Sequence, residues 1–512
     1  MTAIFFTPHL CEGCVYWATT TGDWSEPANW GGTRPTIGID VAICNGGTAT
    51  ITHFDEACGS LVLGDFEDGH SGTILMSGGS LFASREYIGR YGTGVFTQAG
   101  GINTVDGNFY LGLGTYNLNG GTLTVKTISK GSEEAVFNFG GGTLKANASF
   151  STTVPMNLTG DANVDTAGYA VVLSGGLSGS GGLNKLGSNT LILSGVNSYN
   201  NGTTINSGNL VFSLTSAIPS TGNIIVNSNG ALNVAGAYTT VAGWLGSNKI
   251  HSGSTGTLAL TADNSETFDM GRYANLSLGA TGSCTFSGVM VPASNTYRFG
   301  GGGGTITVSS NLSGERSLVA NGSVSLSGVN DYTGNTDINQ GVLSISSTAA
   351  LPGWSTAGRY TVASGAVLAV GDGIASDDAV TMLGTGNFHS GSAIGFDTHT
   401  FDGSVLPSNV GLMKTGTGTL TLSKALTNTT GAITVAGGTF DLGGFSQETS
   451  GNVVLQNGAI RNGTLRKSGG SFDFQAGAVS ANLADGASAT GLVKNGTGRL
   501  TLSGSNTFSD GV

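Results

Sequence analysis

The stretch Gly120-Gly-Thr-Leu-Thr-Val125 decides the fold, because relatives of it recur at a nearly constant distance. Related segments are Gly78-Gly-Ser-Leu-Phe-Ala83, Gly100-Gly-Ile-Asn-Thr-Val105 and Gly141-Gly-Thr-Leu-Lys-Ala146. The second glycines of successive copies are 22, 20 and 21 residues apart. Repeats of 20–50 residues indicate stacked supersecondary units, and alternation of Leu or Val with Thr indicates half-buried strands. We therefore predict an all-β fold, a right-handed parallel β-helix (β-solenoid) with about 20–22 residues per coil.

The composition agrees with many short strands joined by turns. Glycine accounts for 89 of the 512 residues, and 38% of the residues are hydrophobic. Charged residues make up 10% of the chain, against a usual value of about 25%. The net charge is −12, and the 19 basic residues are scattered. Nucleic acid needs a concentrated basic surface, so we exclude it as a partner, and no apolar run reaches the roughly 18 residues of a membrane helix.

A second, longer repeat begins at Gly182. It reads Gly182-Leu-Asn-Lys-Leu-Gly-Ser-Asn-Thr-Leu-Ile-Leu-Ser-Gly-Val-Asn-Ser-Tyr199, and residues 491–508 match it almost position for position. Residues 411–423 open in the same way, and residues 324–332 are a shorter relative. The residues that define this repeat are Gly182, Leu183, Lys185, Gly187, Leu191, Leu193, Gly195, Asn197, Tyr199, Leu326, Gly328, Asn330, Tyr332, Gly411, Lys414, Leu420, Leu422, Gly491, Lys494, Leu500, Leu502, Gly504, Asn506 and Phe508.

Each part of this unit has a physical interpretation. Leu-x-Leu places two aliphatic side chains inward. Ser-Gly-x-Asn offers residues that tolerate positive φ, so we expect it to turn the chain. The aromatic residue two positions after Asn is expected to stack on its counterpart in the next coil. We interpret the lysine as a solvated charge at a strand end.

The pattern Gly-Leu-x-Lys-x-Gly-x-Gly-x-Leu-x-Leu-Ser-Gly-x-Asn-x-Tyr/Phe, followed by Thr-x-Ile-x-x-Gly-x-Leu, resembles the autotransporter-associated β-strand repeat, also called the passenger-associated transport repeat. The resemblance is close at residues 182–210 and 491–511, partial at 411–440 and weaker at 318–343. It implies a β-helical passenger of a Gram-negative-type bacterium. Its repeats would help the passenger fold as it emerges through the outer membrane, and the protein would be secreted or associated with the cell surface.

The N-terminal residues 1–58 differ from the rest. They contain Trp17, Trp24 and Trp30 and four of the five cysteines, and we expect them to form a cap. Clustered tryptophans usually pack in a local core, although sugar binding is an alternative. We expect one or two disulfides among four cysteines, with a zinc site as the alternative; they are Cys11, Cys14, Cys44 and Cys58.

We divide the rest into regular coils at residues 59–150 and repeat-bearing coils at 151–512, with the last repeat truncated. The N-terminus has no basic region followed by a signal-peptide apolar segment. No alternating pattern of a membrane barrel follows the last repeat. We therefore interpret the chain as a portion of a longer surface protein.

Catalytic patterns are scarce. Asp161 and Asp165 would lie about 13 Å apart on one strand face, beyond the roughly 5–9.5 Å of glycosidase carboxylate pairs. Asp377 and Asp378 would point to opposite faces of a strand. We predict no catalytic residue, no metal site and no cofactor. An Asp close to a Lys or Arg from the adjacent coil, within about 5 Å, would instead favour an enzyme.

We expect a non-catalytic structural or adhesive passenger, monomeric, that contacts a glycan or protein of a cell surface or extracellular matrix. One alternative is a β-helical polysaccharide lyase or hydrolase. Another is a transport or folding scaffold for a functional domain outside this chain.

Overall fold

The structure is a computed structural model that describes residues 13–65, 70–426 and 430–512. Two compact units divide the chain, residues 1–259 and 260–512. The chain forms a parallel β-solenoid of about 22 turns with very little helix, which confirms the predicted fold. None of the helices in the described part of the chain is long and apolar enough to cross a membrane.

Within its described residues, 13–65 and 70–259, the first unit contains 22 complete strands and one short helix, α1 (Val241–Gly246). Its strands are β1 (Val15–Tyr16), β2 (Thr21–Asp23), β3 (Val41–Ile43), β4 (Thr48–Ile51), β5 (Glu56–Leu63), β6 (Ser71–Met76), β7 (Ser80–Ile88), β8 (Thr93–Gln98), β9 (Ile102–Leu111), β10 (Gly114–Leu118), β11 (Thr122–Lys130), β12 (Val136–Phe139), β13 (Thr143–Ala146), β14 (Phe150–Thr152), β15 (Met156–Leu158), β16 (Ala162–Asp165), β17 (Val171–Leu173), β18 (Leu177–Ser178), β19 (Leu183–Leu186), β20 (Thr190–Leu193), β21 (Thr203–Phe212) and β22 (Ile224–Val234). Short 3-10 turns lie at Pro27–Trp30 and Thr215–Ala217.

Strand β23 (Thr257–Leu260) begins at the end of the first unit. The second unit continues with β24 (Thr267–Asp269), β25 (Ser277–Ala280), β26 (Ser283–Phe286), β27 (Val289–Val291), β28 (Thr296–Phe299), β29 (Thr305–Val308), β30 (Ser317–Leu326), β31 (Thr336–Ile345), β32 (Tyr360–Val362), β33 (Val367–Val370), α2 (Ser376–Gly384), β34 (Ala393–Phe396), β35 (His399–Asp402), β36 (Gly411–Lys414), β37 (Thr419–Lys424), β38 (Ile433–Val435), β39 (Thr439–Asp441), β40 (Ser446–Thr449), β41 (Val453–Leu455), β42 (Ala459–Arg461), β43 (Thr464–Lys467), β44 (Ser471–Phe474), β45 (Gly477–Val479), β46 (Asn482–Asp485), β47 (Gly491–Lys494) and β48 (Leu500–Leu502). Its 3-10 turns lie at Ala293–Asn295, Thr348–Ala350 and Gly403–Val405.

Each coil stacks on the next through parallel pairing. In the first unit, one sheet runs through β1, β3, β5, β7, β9 and β11, and a second sheet runs through the even strands from β2 to β12 and then β15 and β18. In the second unit, three sheets run side by side at the end of the chain, with β41, β42 and β43 lying on three successive faces of one coil.

The register of the pairing reproduces the sequence period. Ser80 pairs with Ile102, Ile102 with Thr122, and Thr122 with Thr143, which are steps of 22, 20 and 21 residues. Leu123 and Val125 are fully buried, because alternate positions of each strand point into the core. Gly121 precedes this strand with a φ of 67°, a left-handed conformation that glycine adopts without a steric penalty.

The N-terminal segment is part of the stack. Strand β1 pairs with β3, and β3 pairs with β5, all in parallel. The three tryptophans are buried, and the ring of Trp30 contacts those of Trp17 at 4.8 Å and Trp24 at 4.7 Å. This packing confirms the local-core interpretation of the tryptophans.

The cysteines require a correction. Cys14 is disulfide-bonded, Cys11 lies outside the described residues, and Cys44 and Cys58 are free thiols. Because Ile43 pairs with Leu63, Cys44 and Cys58 are about six strand positions apart, or roughly 20 Å. A disulfide needs Cα atoms within about 7 Å, so these two thiols cannot pair with each other.

The interpretation of Asp377 and Asp378 as strand residues is wrong. Both lie in the first turn of α2, where carboxylates interact favourably with the positive end of the helix dipole.

Candidate functional site

The lysine of the long repeat lies inside the solenoid. Lys185 follows Leu183 by two positions on β19, so both side chains point inward, and Lys185 is fully buried. Its Nζ donates to the carbonyl oxygens of Leu186 at 2.7 Å and Gly187 at 2.8 Å in its own coil. The interpretation of this lysine as a solvated charge is therefore wrong.

The same ammonium group also connects three coils. It lies 3.0 Å from Thr166 Oγ1 in the preceding coil and 3.0 Å from the carbonyl oxygen of Ser207 in the next coil. Burial lowers the pKa of Lys185 to about 8, and the nearby carboxylate of Asp165 opposes that shift. The Nζ adds a further donor to carbonyl groups that already take part in the stack, since the Leu186 carbonyl also accepts from the Thr166 amide and the Gly187 carbonyl from the Ser207 hydroxyl.

Two other copies repeat this geometry. Lys414 is buried, and its Nζ donates to the carbonyls of the next two residues, Thr415 and Gly416. Lys494 is exposed, but its Nζ also lies 2.9 Å from each of the next two carbonyls, those of Asn495 and Gly496. The lysine therefore binds the turn that follows its strand in all three copies.

The repeat asparagine bridges two neighbouring coils. Asn197 accepts a hydrogen bond from the Leu177 amide at 2.9 Å and donates to the Ala217 carbonyl at 2.6 Å. Asn330 makes the equivalent pair of bonds to Leu312 (2.9 Å) and Ala350 (2.7 Å). Its amide thus replaces a missing backbone pairing at the corner. Neither asparagine has positive φ, so the corner forms without the left-handed conformation that the sequence suggested.

The glycine two positions before this asparagine permits close stacking. A β-carbon on Gly195 would lie 2.4 Å from the Gly175 carbonyl oxygen of the preceding coil, and one on Gly328 would lie 2.5 Å from that of Ser310. These contacts are too short for any side chain. Neither glycine has positive φ. Glycine is therefore required here because two backbones approach each other closely, and not because of its backbone conformation.

The repeat tyrosine pairs with a threonine four residues later. The hydroxyls of Tyr199 and Thr203 are 2.5 Å apart, and so are those of Tyr332 and Thr336. All four side chains are buried. Phe508 contacts Phe472 edge-on at 6.3 Å, but Phe472 is not the aromatic residue of another repeat, so this contact is not the stacking that the sequence predicted.

The remaining repeat positions mostly follow the predicted pattern. The buried leucines are Leu183, Leu191, Leu193, Leu326, Leu420 and Leu422. In the last copy, Leu500 is half-buried and Leu502 is exposed. Gly187 and Gly496 adopt positive φ, whereas Gly182, Gly411, Gly491 and Gly504 do not. Asn506 accepts a hydrogen bond from the Leu483 amide at 2.9 Å.

A row of amides lies on an outer face of the first unit. Asn117 donates to Thr97 at 3.0 Å, Asn138 to Asn117 at 2.8 Å, and Asn157 to Asn138 at 3.1 Å. We call Thr97, Asn117, Asn138 and Asn157 the amide ladder. Its members occupy paired positions in β8, β10, β12 and β15. The face therefore offers neutral polar groups at the coil spacing of roughly 4.8 Å.

Charged pairs between adjacent coils meet the distance criterion that would favour an enzyme. They are Asp106–Lys126 (2.7 Å), Asp397–Lys414 (3.2 Å), Asp402–Lys424 (2.7 Å) and Asp441–Arg461 (2.9 Å). Opposite charges across neighbouring strands also stabilise a sheet. Among residues 13–65, 70–426 and 430–512, no group of three or more His, Cys, Asp or Glu side chains could hold a metal ion.

Comparison with known proteins identifies the repeats. The model of the passenger-associated transport repeat matches residues 183–212, 321–345, 412–442 and 492–512. The chain therefore contains passenger-associated transport repeats and is similar to autotransporter passengers. These matches coincide with all four segments found in the sequence.

A curated relative supports this assignment. The passenger-like chain is 26% identical over 525 aligned positions to the adhesin BmaC autotransporter of Brucella suis biovar 1 (strain 1330). The alignment covers 80% of this chain and 15% of the relative, so the chain spans a small part of that protein's length. No solved structure matches the chain.

Proposed function

We propose that this chain is the exported, surface-located passenger of a Gram-negative bacterium, and that it attaches to a cell or matrix surface without chemically altering it. The observation that carries the proposal is the amide ladder on a flat face of a solenoid with passenger repeats. Side-chain amides donate and accept hydrogen bonds, so a regular row of them suits a polar glycan or protein surface. The printed name of the relative, an adhesin, supports the same function.

The proposal is tested with the purified 512-residue chain, fluorescently labelled, on epithelial cell layers and on plates coated with extracellular matrix. We expect saturable binding that unlabelled chain displaces. A ladder variant, Asn117→Ala with Asn138→Ala and Asn157→Ala, should bind at least about fivefold more weakly, a loss of about 1 kcal/mol.

Thr104→Ala with Thr124→Ala is the matched control. These threonines are paired, half-buried residues on the outer side of β9 and β11, away from the ladder strands. The control should bind as the parent does. Binding at background level would contradict adhesion, and release of soluble sugar fragments from a polysaccharide would establish the enzyme alternative.

The repeat geometry also favours a second role, as a scaffold that folds coil by coil. Lys185 contacts three coils, and Asn197 contacts the coils before and after its own. Solenoid stability depends on such nearest-neighbour interfaces. If Lys185→Met and Asn197→Ala refold from denaturant as fast as the parent chain, these contacts form after the rate-limiting step and the scaffold role fails.

A further inference from the structure

An open cleft of about 350 Å³ lies on the outer side of the main sheet in the second unit. Its volume falls at the lower end of the roughly 300–1,000 Å³ of ligand sites in proteins. Strands β30, β31 and β33 and the turn after β36 provide its walls. The residues that matter for its chemistry are Ser325, Ser344, Ser346, Ala369, Asp397 and Thr415.

The cleft arises because outward side chains become smaller along one row of paired residues. Thr307 pairs with Ser325, Ser325 with Ser344, Ser344 with Ala369, and Ala369 with Gly395. The row therefore changes from hydroxyl side chains to a methyl group and then to no side chain. The volume that these small residues leave open is a recess in an otherwise flat face.

Four hydroxyl groups in this recess have no hydrogen-bond partner within the described chain. They belong to Ser325, Ser344, Ser346 and Thr415, all of which are half-buried or exposed. Ser325 and Ser344 are directly paired on adjacent coils, whose strands are about 4.8 Å apart. Each can both donate and accept a hydrogen bond.

A carboxylate completes the set of polar groups. Asp397 uses Oδ1 to accept from Lys414 Nζ at 3.2 Å and from the Gly418 amide at 2.6 Å. Its Oδ2 accepts no hydrogen bond from the described residues, and the side chain is 37% exposed. Thus one fixed carboxylate oxygen is available as an acceptor beside four uncommitted hydroxyls.

We propose that this cleft binds a neutral sugar residue of the glycan to which the passenger attaches; this rests on the proposed function. A sugar ring presents alternating hydroxyls that donate and accept, which matches a carboxylate oxygen and paired serines. An acidic sugar is disfavoured because the cation next to Asp397, Lys414, is buried and engaged with carbonyls. No aromatic ring lines the cleft, so the affinity for a single sugar is weak.

The test uses saturation-transfer NMR on the full 512-residue chain with methyl glycosides of mannose, galactose, glucose and N-acetylglucosamine, each at millimolar concentration. We expect transfer to at least one of the four. Ser344→Val removes a hydroxyl and fills the cleft with a residue that strands accept. It should reduce transfer at least tenfold.

The matched control is Thr307→Val, in the same row but outside the cleft, and it should leave the transfer unchanged. Circular dichroism of both variants checks that they fold. Transfer to none of the four glycosides, or transfer that Ser344→Val leaves intact, would overturn the cleft proposal. If cells bind the chain while no glycoside does, adhesion stands and the cleft fails. If a glycoside binds while cells do not, the cleft binds a sugar and the proposed adhesion fails.

Discussion

The ammonium nitrogen of Lys185 lies 3.0 Å from the carbonyl oxygen of Ser207 in the next coil. A charge is costly to bury unless hydrogen bonds satisfy it. Here the charge is satisfied by backbone carbonyls of two coils and by the hydroxyl of Thr166 in a third. The three repeat copies in this chain share the contact of the lysine with the turn after its own strand, and in the copy at Lys185 the same group also joins neighbouring coils.

Lys185→Met tests this contact. Methionine has a similar length but donates no hydrogen bond, so three carbonyls lose a charged donor, although those of Leu186 and Gly187 keep a second one. A hydrogen bond to a charged group contributes about 1.5–3 kcal/mol. Relief of the desolvation of the charge offsets part of this loss. We expect the local opening free energy of β19–β21, measured by amide hydrogen exchange, to fall by about 2 kcal/mol.

Lys494→Met is the control for that variant. Lys494 makes the same two carbonyl contacts, but it is exposed, so water can replace its ammonium group. We expect a change below about 0.5 kcal/mol in its own coil. Equal changes in the opening free energy at the two sites would show that burial of the lysine does not strengthen its contacts.

Much of the fold could be predicted from the sequence. Buried and outward residues alternate along each strand, and each coil has a nearly constant length. The burial of Lys185 was also encoded, since it has the same parity on its strand as Leu183. It was missed because a lone lysine usually stays solvated. Its hydrogen-bond acceptors include backbone carbonyls that the turn at Gly187 positions, where φ is 78°. A sequence pattern of side chains does not reveal such acceptors.

The role of Asn197 was missed for a related reason. Glycine next to asparagine normally indicates a turn with positive φ. In this chain the glycine permits close approach to Gly175, and the asparagine pairs with backbone groups about 20 residues away on each side. Such contacts depend on the stacking of coils, which local sequence does not reveal. The cleft depends likewise on register, which brings Ala369 next to Gly395.

The hydroxyl pair of Tyr199 and Thr203 should be energetically coupled. Their oxygen atoms are 2.5 Å apart and buried. In a double-mutant cycle with Tyr199→Phe and Thr203→Val, we expect a coupling of about 1 kcal/mol in the local opening free energy. Tyr169→Phe, at a ring that is 40% exposed, should cost little. Additive effects of the two changes within about 0.3 kcal/mol would show that the hydroxyls do not interact.

Glu86 should make the first unit less stable as the pH rises. The side chain is fully buried and accepts a hydrogen bond from Asn103 at 3.2 Å. Burial raises the pKa of Glu86 to about 8, and the bond from Asn103 opposes that shift. In the unfolded chain the pKa is about 4.3. Between these values the folded state holds a proton that the unfolded state has lost, so stability falls with increasing pH.

We expect the opening free energy of the coils around Glu86 to decrease by up to about 1.4 kcal/mol per pH unit between pH 5 and 8. Glu86→Gln keeps the shape of the protonated form and should remove this slope. Glu133→Gln is the control, because Glu133 is 94% exposed, and it should leave the slope unchanged. A slope that persists in Glu86→Gln would assign the titration to another group.

The central claim, that repeat side chains hold neighbouring coils together, is tested most directly at Asn197 by comparing Asn197→Asp with Asn200→Asp. Asn200 is exposed and only three residues away. An aspartate at 197 can still accept from the Leu177 amide, but it replaces the donor to the Ala217 carbonyl with a negative charge. Leaving that buried carbonyl unpaired costs about 1–3 kcal/mol.

The measurement is residue-resolved hydrogen exchange at pH 7 on both variants. In Asn197→Asp we expect the opening free energy of residues 203–217 to fall by about 2 kcal/mol, with a smaller change at the Leu177 amide. Asn200→Asp should leave both regions as in the parent chain. Equal exchange in the two variants would contradict the claim that the repeat asparagine joins the coils.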